Sequence, residues 1–259
     1  MKIELRLIVG VLVIAAILVG CQPAETPTDA SPMVVSESTE TPSAVKNLTP
    51  EPAGDPQVTP TSTPEADPRE ELGKTTWRAT FGPETDQTWG TFDDQQAKVE
   101  VLAWGLVLTA KKDNSFDTWS LSYPTLSDFY LEIVGTSGPV CAGKDRYGPI
   151  VRAPENNMGY IFQVSCDGMF QVRKWDGEQY TDIVKWTPSE YIVPGPNQTH
   201  RLGYMAEGSQ MGIYVNGFLL AEFEDASYPE GKFGVSIAAS DTPGFTVTIP
   251  EAEYWELPQ

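Results

Sequence analysis

The chain has one histidine, three cysteines and no aromatic residue between Gln22 and Gly73, and each scarcity removes a class of function. His200 alone cannot build a histidine-rich metal centre, and with no Gly-x-Ser-x-Gly elbow in the chain a serine triad lacks its nucleophile. No basic cluster occurs: 17 Lys and Arg face 36 Asp and Glu, a formal net charge of −19. That balance opposes binding of nucleic acid or anionic headgroups by counterion release, so nucleic acid is excluded as a partner. No window of useful length repeats at 3.6 residues, which excludes a helical scaffold. The longest apolar run, Leu7 to Leu18, falls short of the ~20 residues that span a bilayer.

What is present begins with that run. Lys2 and Arg6 give it a basic flank, and it leads into Leu18-Val19-Gly20-Cys21. These residues resemble the lipobox of a bacterial lipoprotein signal peptide. The resemblance implies removal of residues 1–20, lipidation of Cys21, and anchoring on the extracytoplasmic face of a cell membrane, the lipid being the only membrane contact. From Cys21 to Gly73 the chain is rich in Pro, Thr, Ser, Glu and Asp. Its few apolar residues cannot offset an ordering cost of roughly 1–2 kcal/mol per residue, so a disordered tether is expected over 21–73 and a folded domain over 74–259. All seven Trp lie from Trp77 onward.

With Cys21 assigned to lipid, Cys141 and Cys166 remain in a compartment that permits oxidation. A turn at Pro154-Glu155-Asn156-Asn157 folds Tyr147–Ala153 against Met158–Cys166 and brings both sulfurs to one end of a hairpin. A disulfide is therefore expected.

The folded part reads as all-β. Short runs of Val, Ile, Phe, Tyr and Trp are broken about every ten residues by Gly, Asn, Asp or Pro. In Asp128–Val134, Phe129, Leu131 and Ile133 point one way while Tyr130 and Glu132 point the other. Asp167-Gly168, Asp176-Gly177, Glu207-Gly208-Ser209 and Asn216-Gly217 are hairpin turns, since residues there must tolerate positive φ. So many strands joined by short turns predict two antiparallel sheets packed face to face, because one open sheet would leave its apolar face in water.

Three runs, Tyr147-Gly148-Pro149-Ile150-Val151-Arg152-Ala153, Met158–Val164 and Ile213–Ala221 with its Val215-Asn216-Gly217 turn, are followed by Phe233-Gly234-Val235. Their order and turns resemble concanavalin A-like lectin/glucanase domains, in particular the laminin-G-like and keto-disaccharide-hydrolase-like branch. The resemblance spans Trp77 to Leu257 and implies a jelly-roll sandwich that binds glycans or other extended polymers on a concave sheet or on rim loops. Its members include both binders and hydrolases. The hydrolases' Glu-x-Asp-x-x-Glu run is absent here; Glu222 and Glu224 share a strand face, but a solvated outer face explains them equally.

The expected function is a surface domain that binds carbohydrate or another extracellular polymer without catalysis. A glycan-cleaving hydrolase and a structural or protein-binding sandwich remain as alternatives. The candidate ligand contacts are Tyr130, Glu132, Arg152 and Tyr160. Arg152 matches the family's arginine, and its fork suits a carboxylate or paired hydroxyls, with Glu132 as candidate partner; a buttressing ion pair explains both as well. Tyr130 and Tyr160 suit stacking on sugar rings, or the core. Trp175 and Trp186 are rim or core aromatics. The resemblance also implies calcium at a rim, with Asp113, Asn114 and Asp117 as candidate ligands; loop solubility accounts for the same residues, and no cofactor, metal ligand or catalytic residue is assigned.

Overall fold

The computed structural model describes residues 67–79, 81, 89–155 and 157–258. The lipobox, Cys21 and the tether up to residue 66 lie outside the described residues, as does Asn156 of the expected turn. Alternation of apolar and polar residues produces two antiparallel sheets. The larger runs, in spatial order, β13 (Phe218–Glu224), β12 (Gln210–Val215), β11 (Thr199–Glu207), β6 (Phe129–Ser137), β15 (Phe245–Glu256), β4 (Gly105–Ala110), β3 (Ala97–Leu102) and β2 (Phe92–Asp93), with β1 (Trp77–Arg78) also pairing to β15. The smaller runs β10 (Tyr180–Pro188), β9 (Met169–Trp175), β8 (Gly159–Ser165), β7 (Arg146–Ala153), β14 (Gly231–Ala238) and β5 (Thr118–Leu126).

All four anticipated turns join consecutive strands. At the tightest, Asn216 and Gly217 both take positive φ, 54° and 88°, the combination a two-residue hairpin needs to match strand twist. The facing surfaces are apolar: Phe129, Leu131 and Ile133 of β6 belong to the same core as Tyr160, Phe162 and Val164 of β8 and Phe170 and Val172 of β9. Each such side chain stabilises the fold by about 1.5–3 kcal/mol on burial, so the inward positions are committed to packing and any recognition chemistry falls to the outward ones. Tyr147 ties the sheets together by donating to Gly135 O at 2.9 Å. Glycine is required at 135, because a Cβ there would lie 2.3 Å from the Tyr147 ring.

Cys141 and Cys166 form a disulfide with their Cα atoms 5.5 Å apart. The β7–β8 pairing of Arg146 with Ser165 and Tyr147 with Val164 brings them to the same end of that hairpin.

The folded body begins earlier than composition indicates. Asp67–Gly73, assigned to the tether from its residue content, carries a short helix α1 (Pro68–Leu72) whose Asp67 cap accepts from Arg69 N at 3.2 Å. Leu72 packs on Tyr130, Tyr214 and Trp255 on the outside of the nine-stranded sheet. The reason lies in partners remote in sequence: one leucine has little to bury locally but finds three rings on the sheet. No helix among the described residues is long and apolar enough to cross a membrane.

Candidate functional site

The outer face of the six-stranded sheet gathers a polar cluster from four strands and one loop. In β9 the core residues Phe170 and Val172 alternate with Gln171 and Arg173, which therefore face outward. In β8, Gln163 lies between Phe162 and Val164 and sits directly opposite Gln171. Gln171 Nε2 donates to Gln163 Oε1 at 3.0 Å, and Gln163 Nε2 donates to Ser236 Oγ of β14 at 3.1 Å. The row is locked further by Ser236 Oγ donating to Gly148 O at 2.9 Å.

Asp117, at the mouth of β5, holds the cluster together. It accepts from Arg146 Nε at 3.0 Å, Arg173 Nη2 at 2.5 Å and Gln163 Nε2 at 2.9 Å. Burial alone would raise its pKa, but the two guanidinium groups and the glutamine amide outweigh burial and hold the carboxyl below the usual aspartate range. Arg173 also lies 4.1 Å from the centre of the Tyr180 ring, and its Nε is buried with no protein partner.

Aromatic rings stand at both ends of β9. At one end Trp175 and Tyr180 lie 4.4 Å apart between centroids. At the other, Lys144 Nζ sits 4.9 Å over the Trp186 ring and pairs with Asp167. Six strand steps from Met169 to Trp175 span ~20 Å. Past the Asp167 end, Pro188, Glu190, Val193 and Pro194 line an open depression of about 480 Å³.

The four residues expected from sequence to contact ligand are not brought together. Tyr130 and Glu132 lie on the outside of the other sheet, where Tyr130 Oη donates to Glu132 Oε2 at 3.0 Å. Tyr160 belongs to the core, its hydroxyl donating to Asp225 Oδ1 at 2.7 Å. Arg152 does not pair with Glu132. Simple alternation would turn it outward from Val151, but Val151 and Arg152 together oppose the single Phe233, and Arg152 takes φ of 46°. This bulge rotates the side chain under the neighbouring loops, where the fork donates to Ser127 O (2.5 and 3.0 Å), Gly208 O (2.7 Å) and Tyr228 O (3.4 Å) and meets Asp128 at 3.3 Å. Its side chain is fully buried and fastens loops.

Glu132 instead faces Arg69 at 3.1 Å and Arg201 at 3.6 Å. Its cross-strand neighbour is Glu253, which pairs with Arg78 at 2.7 Å. Glu222 and Glu224 lie exposed on the edge strand β13. His200 is buried; its Nε2 accepts from Val193 N at 3.1 Å, so the proton sits on Nδ1 toward Tyr147 Oη at 3.2 Å. Burial lowers its pKa and keeps the ring neutral. The rim calcium implied by the resemblance does not fit Asp117, whose oxygens are engaged by two guanidinium groups that would repel a cation. Asp113 and Asn114 gain no third partner, and the described residues hold no group of three acidic, His or Cys side chains that would suit a metal.

Sequence reading missed Arg146, Gln163, Gln171, Arg173 and Ser236, and it placed Asp117 in the wrong setting. The polar alternation in Gln163 and in Gln171-x-Arg173 was the available signal.

No protein-family profile matches the sequence, and no curated protein matches it. Solved structures do resemble the fold. A β-glucanase from Bacillus licheniformis aligns with 71% of this chain and 99% of its own at TM-score 0.52 and 10% identity. A structure described as an endo-acting O-glycanase of human gut microbiota aligns with 71% of this chain and 100% of its own at TM-score 0.52 and 9% identity. The carbohydrate-binding module CBM66 of Bacillus subtilis reaches 20% identity over 65% of this chain and 92% of its own, at TM-score 0.47. The fold is thus a concanavalin A-like β-sandwich, like that of these glucanase and glycanase structures.

Proposed function

We propose that this chain is a non-catalytic carbohydrate-binding domain that uses the outer face of the six-stranded sheet, and that it is displayed outside the cell on a tether lipidated at Cys21. The observation that carries the reading is the interlocked Asp117, Arg146, Gln163, Gln171 and Arg173 cluster flanked by Trp186, Trp175 and Tyr180. Asp117, Gln163 and Gln171 are themselves buried and brace the face from beneath, so the partly exposed Arg146 and Arg173 guanidinium groups are the polar groups placed to meet sugar hydroxyls, and the flanking aromatic faces suit a sugar's C–H surface. Because these side chains already hold one another, little rotamer freedom is lost when a ligand arrives. The ~20 Å between the aromatic ends favours an extended glycan over a single ring.

The charge of the face narrows the ligand class. Lys144, Arg146 and Arg173 are balanced by Asp117, Asp167 and, across from Arg173, Asp182. A neutral face on a chain of net charge −19 favours neutral polysaccharides over polyanions. Catalysis is disfavoured because the neighbouring carboxylates Glu132 and Glu253 are each only 2% exposed, Glu132 facing Arg69 and Arg201 and Glu253 facing Arg69 and Arg78, so neither is placed to flank a glycosidic bond.

The test is a panel of neutral and acidic polysaccharides probed with the chain from Gln22 onward. Binding that W186A and Q171A each weaken at least tenfold supports the reading. Binding that survives both substitutions moves the site elsewhere, and release of reducing sugar overturns the non-catalytic assignment.

A further inference from the structure

On the opposite face, the segment ahead of β1 is held against the nine-stranded sheet by contacts of unequal quality. Asp67 pairs with Arg201. Arg69 lies 3.1 Å from Glu132 and 4.0 Å from Glu253. Leu72 rests on the Tyr130, Tyr214 and Trp255 rings, and Trp255 Nε1 donates to Gly73 O at 3.1 Å. The ionic joint is the loosest part: Glu132 Oε1 faces Arg69 Nη1 at 3.1 Å and Arg201 Nε at 3.6 Å but, like the buried Arg69 Nε, makes no hydrogen bond. Such orphan atoms carry a desolvation cost in the closed arrangement.

The groups that face this joint come from every element packed around it. They are Asp67, Arg69 and Glu70 of the segment, Lys74 just beyond it, Arg78 of β1, Glu132 with Tyr130 beside it on β6, Arg201 of β11, and Glu251 and Glu253 of β15. Four cationic groups, Arg69, Lys74, Arg78 and Arg201, therefore meet five carboxylates, Asp67, Glu70, Glu132, Glu251 and Glu253. One added proton balances the cluster, and the place for it is Glu132, whose Oε1 makes ion-pair contacts but no hydrogen bond and whose side chain is only 2% exposed.

We propose that Asp67–Gly73 is a proton-dependent clasp, closed over Glu132 in mildly acidic surroundings and loosened as the medium becomes alkaline. Burial, opposed by Arg69 and the Tyr130 hydroxyl, raises the Glu132 pKa from 4.5 to about 7. Lifting the segment returns the carboxyl to water and to an ordinary affinity for protons. The closed state therefore holds the proton more tightly. Its advantage is complete below the ordinary glutamate pKa and disappears as pH rises through the raised one. Between pH 5 and pH 8 this linkage increases the opening equilibrium by at most about 70-fold. Opening would uncover the aromatic patch that Leu72 packs against.

Hydrogen exchange of the backbone amides of residues 69–76, followed in the chain from Gln22 onward and corrected for intrinsic rates, tests the clasp. Opening should rise tenfold or more between pH 5 and pH 8 while β8 amides keep constant protection. E132Q should make the segment insensitive to pH. A flat wild-type profile, or an unchanged pH slope in E132Q, overturns the proposal. Should E132Q fail to fold, carboxyl carbon chemical shifts of the wild type decide: a Glu132 midpoint between 6 and 8 supports the clasp, and one near the ordinary glutamate value ends it.

Discussion

Removing the Asp117 carboxylate should destabilise the protein more than removing any exposed charge, and should do so without touching the apolar core. The side chain is 1% exposed, and Arg146 and Arg173, which bracket it, are each 13% exposed. In D117A both guanidinium groups lose their counterion while remaining largely out of water, and Gln163 loses an acceptor. Breaking a buried ion pair from one side costs about 3–5 kcal/mol. For a domain of this size each kcal/mol lowers the melting temperature by about 2–4 °C, so a drop on the order of 10 °C is expected. D117N should cost nearly as much, because its amide turns a donor toward one guanidinium.

The pH dependence of that cost has a definite sign. The folded-state pKa of Asp117 is depressed, so its stabilisation is present above the ordinary aspartate value and is lost as pH falls through the lower folded value. Wild type and D117N should therefore converge in stability on acidification below about pH 4. Urea unfolding at pH 7 and pH 3 measures both effects. A loss below about 1 kcal/mol for D117A at pH 7 would place the carboxylate among surface ion pairs and refute the buried network.

Two further outcomes follow from the same contacts. Reducing Cys141–Cys166, which closes a loop with sequence separation 25, should lower stability by about 3.5 kcal/mol in the chain-entropy model, read as a shift in the urea midpoint; an unchanged midpoint would mean the reduced chain stays equally constrained. R152M should cost on the order of 3 kcal/mol, because the carbonyls of Ser127, Gly208 and Tyr228 lose their donors, and glycan binding by the remaining folded protein should be unaffected.

The strands were legible wherever side-chain alternation coincided with burial. β9, β12 and β13 fall where the sequence pattern places them, and the turn residues mark their ends. β5 is poorly marked by the pattern because two of its three buried positions are Ser120 and Ser122 while Tyr123 is 57% exposed, the reverse of the usual arrangement. Ser120 is tolerated inside because its hydroxyl donates to Gly90 O at 2.8 Å, a partner thirty residues away. Arg152 was misplaced for a different reason: period two holds only while one residue opposes one, and the bulge at Val151-Arg152 ends that correspondence. Asp117 looked like a loop carboxylate because neither arginine that captures it is near in sequence.

The two outer faces differ in a way that follows from what covers them. On the nine-stranded sheet, a segment of the same chain supplies Arg69 and Leu72 and takes up the carboxylates and rings that would otherwise meet solvent. On the six-stranded sheet, the cluster draws its counterions from within its own sheet and the adjoining loop, so its polar groups are fixed in place while the flanking rings keep part of their surface in solvent. The core restricts only inward positions, and outward positions on both sheets were equally free to become either kind of surface. Self-covering on one side and self-bracing on the other therefore favour the braced face for the proposed recognition role, because a ligand at its exposed rings displaces solvent alone and need not compete with part of the protein.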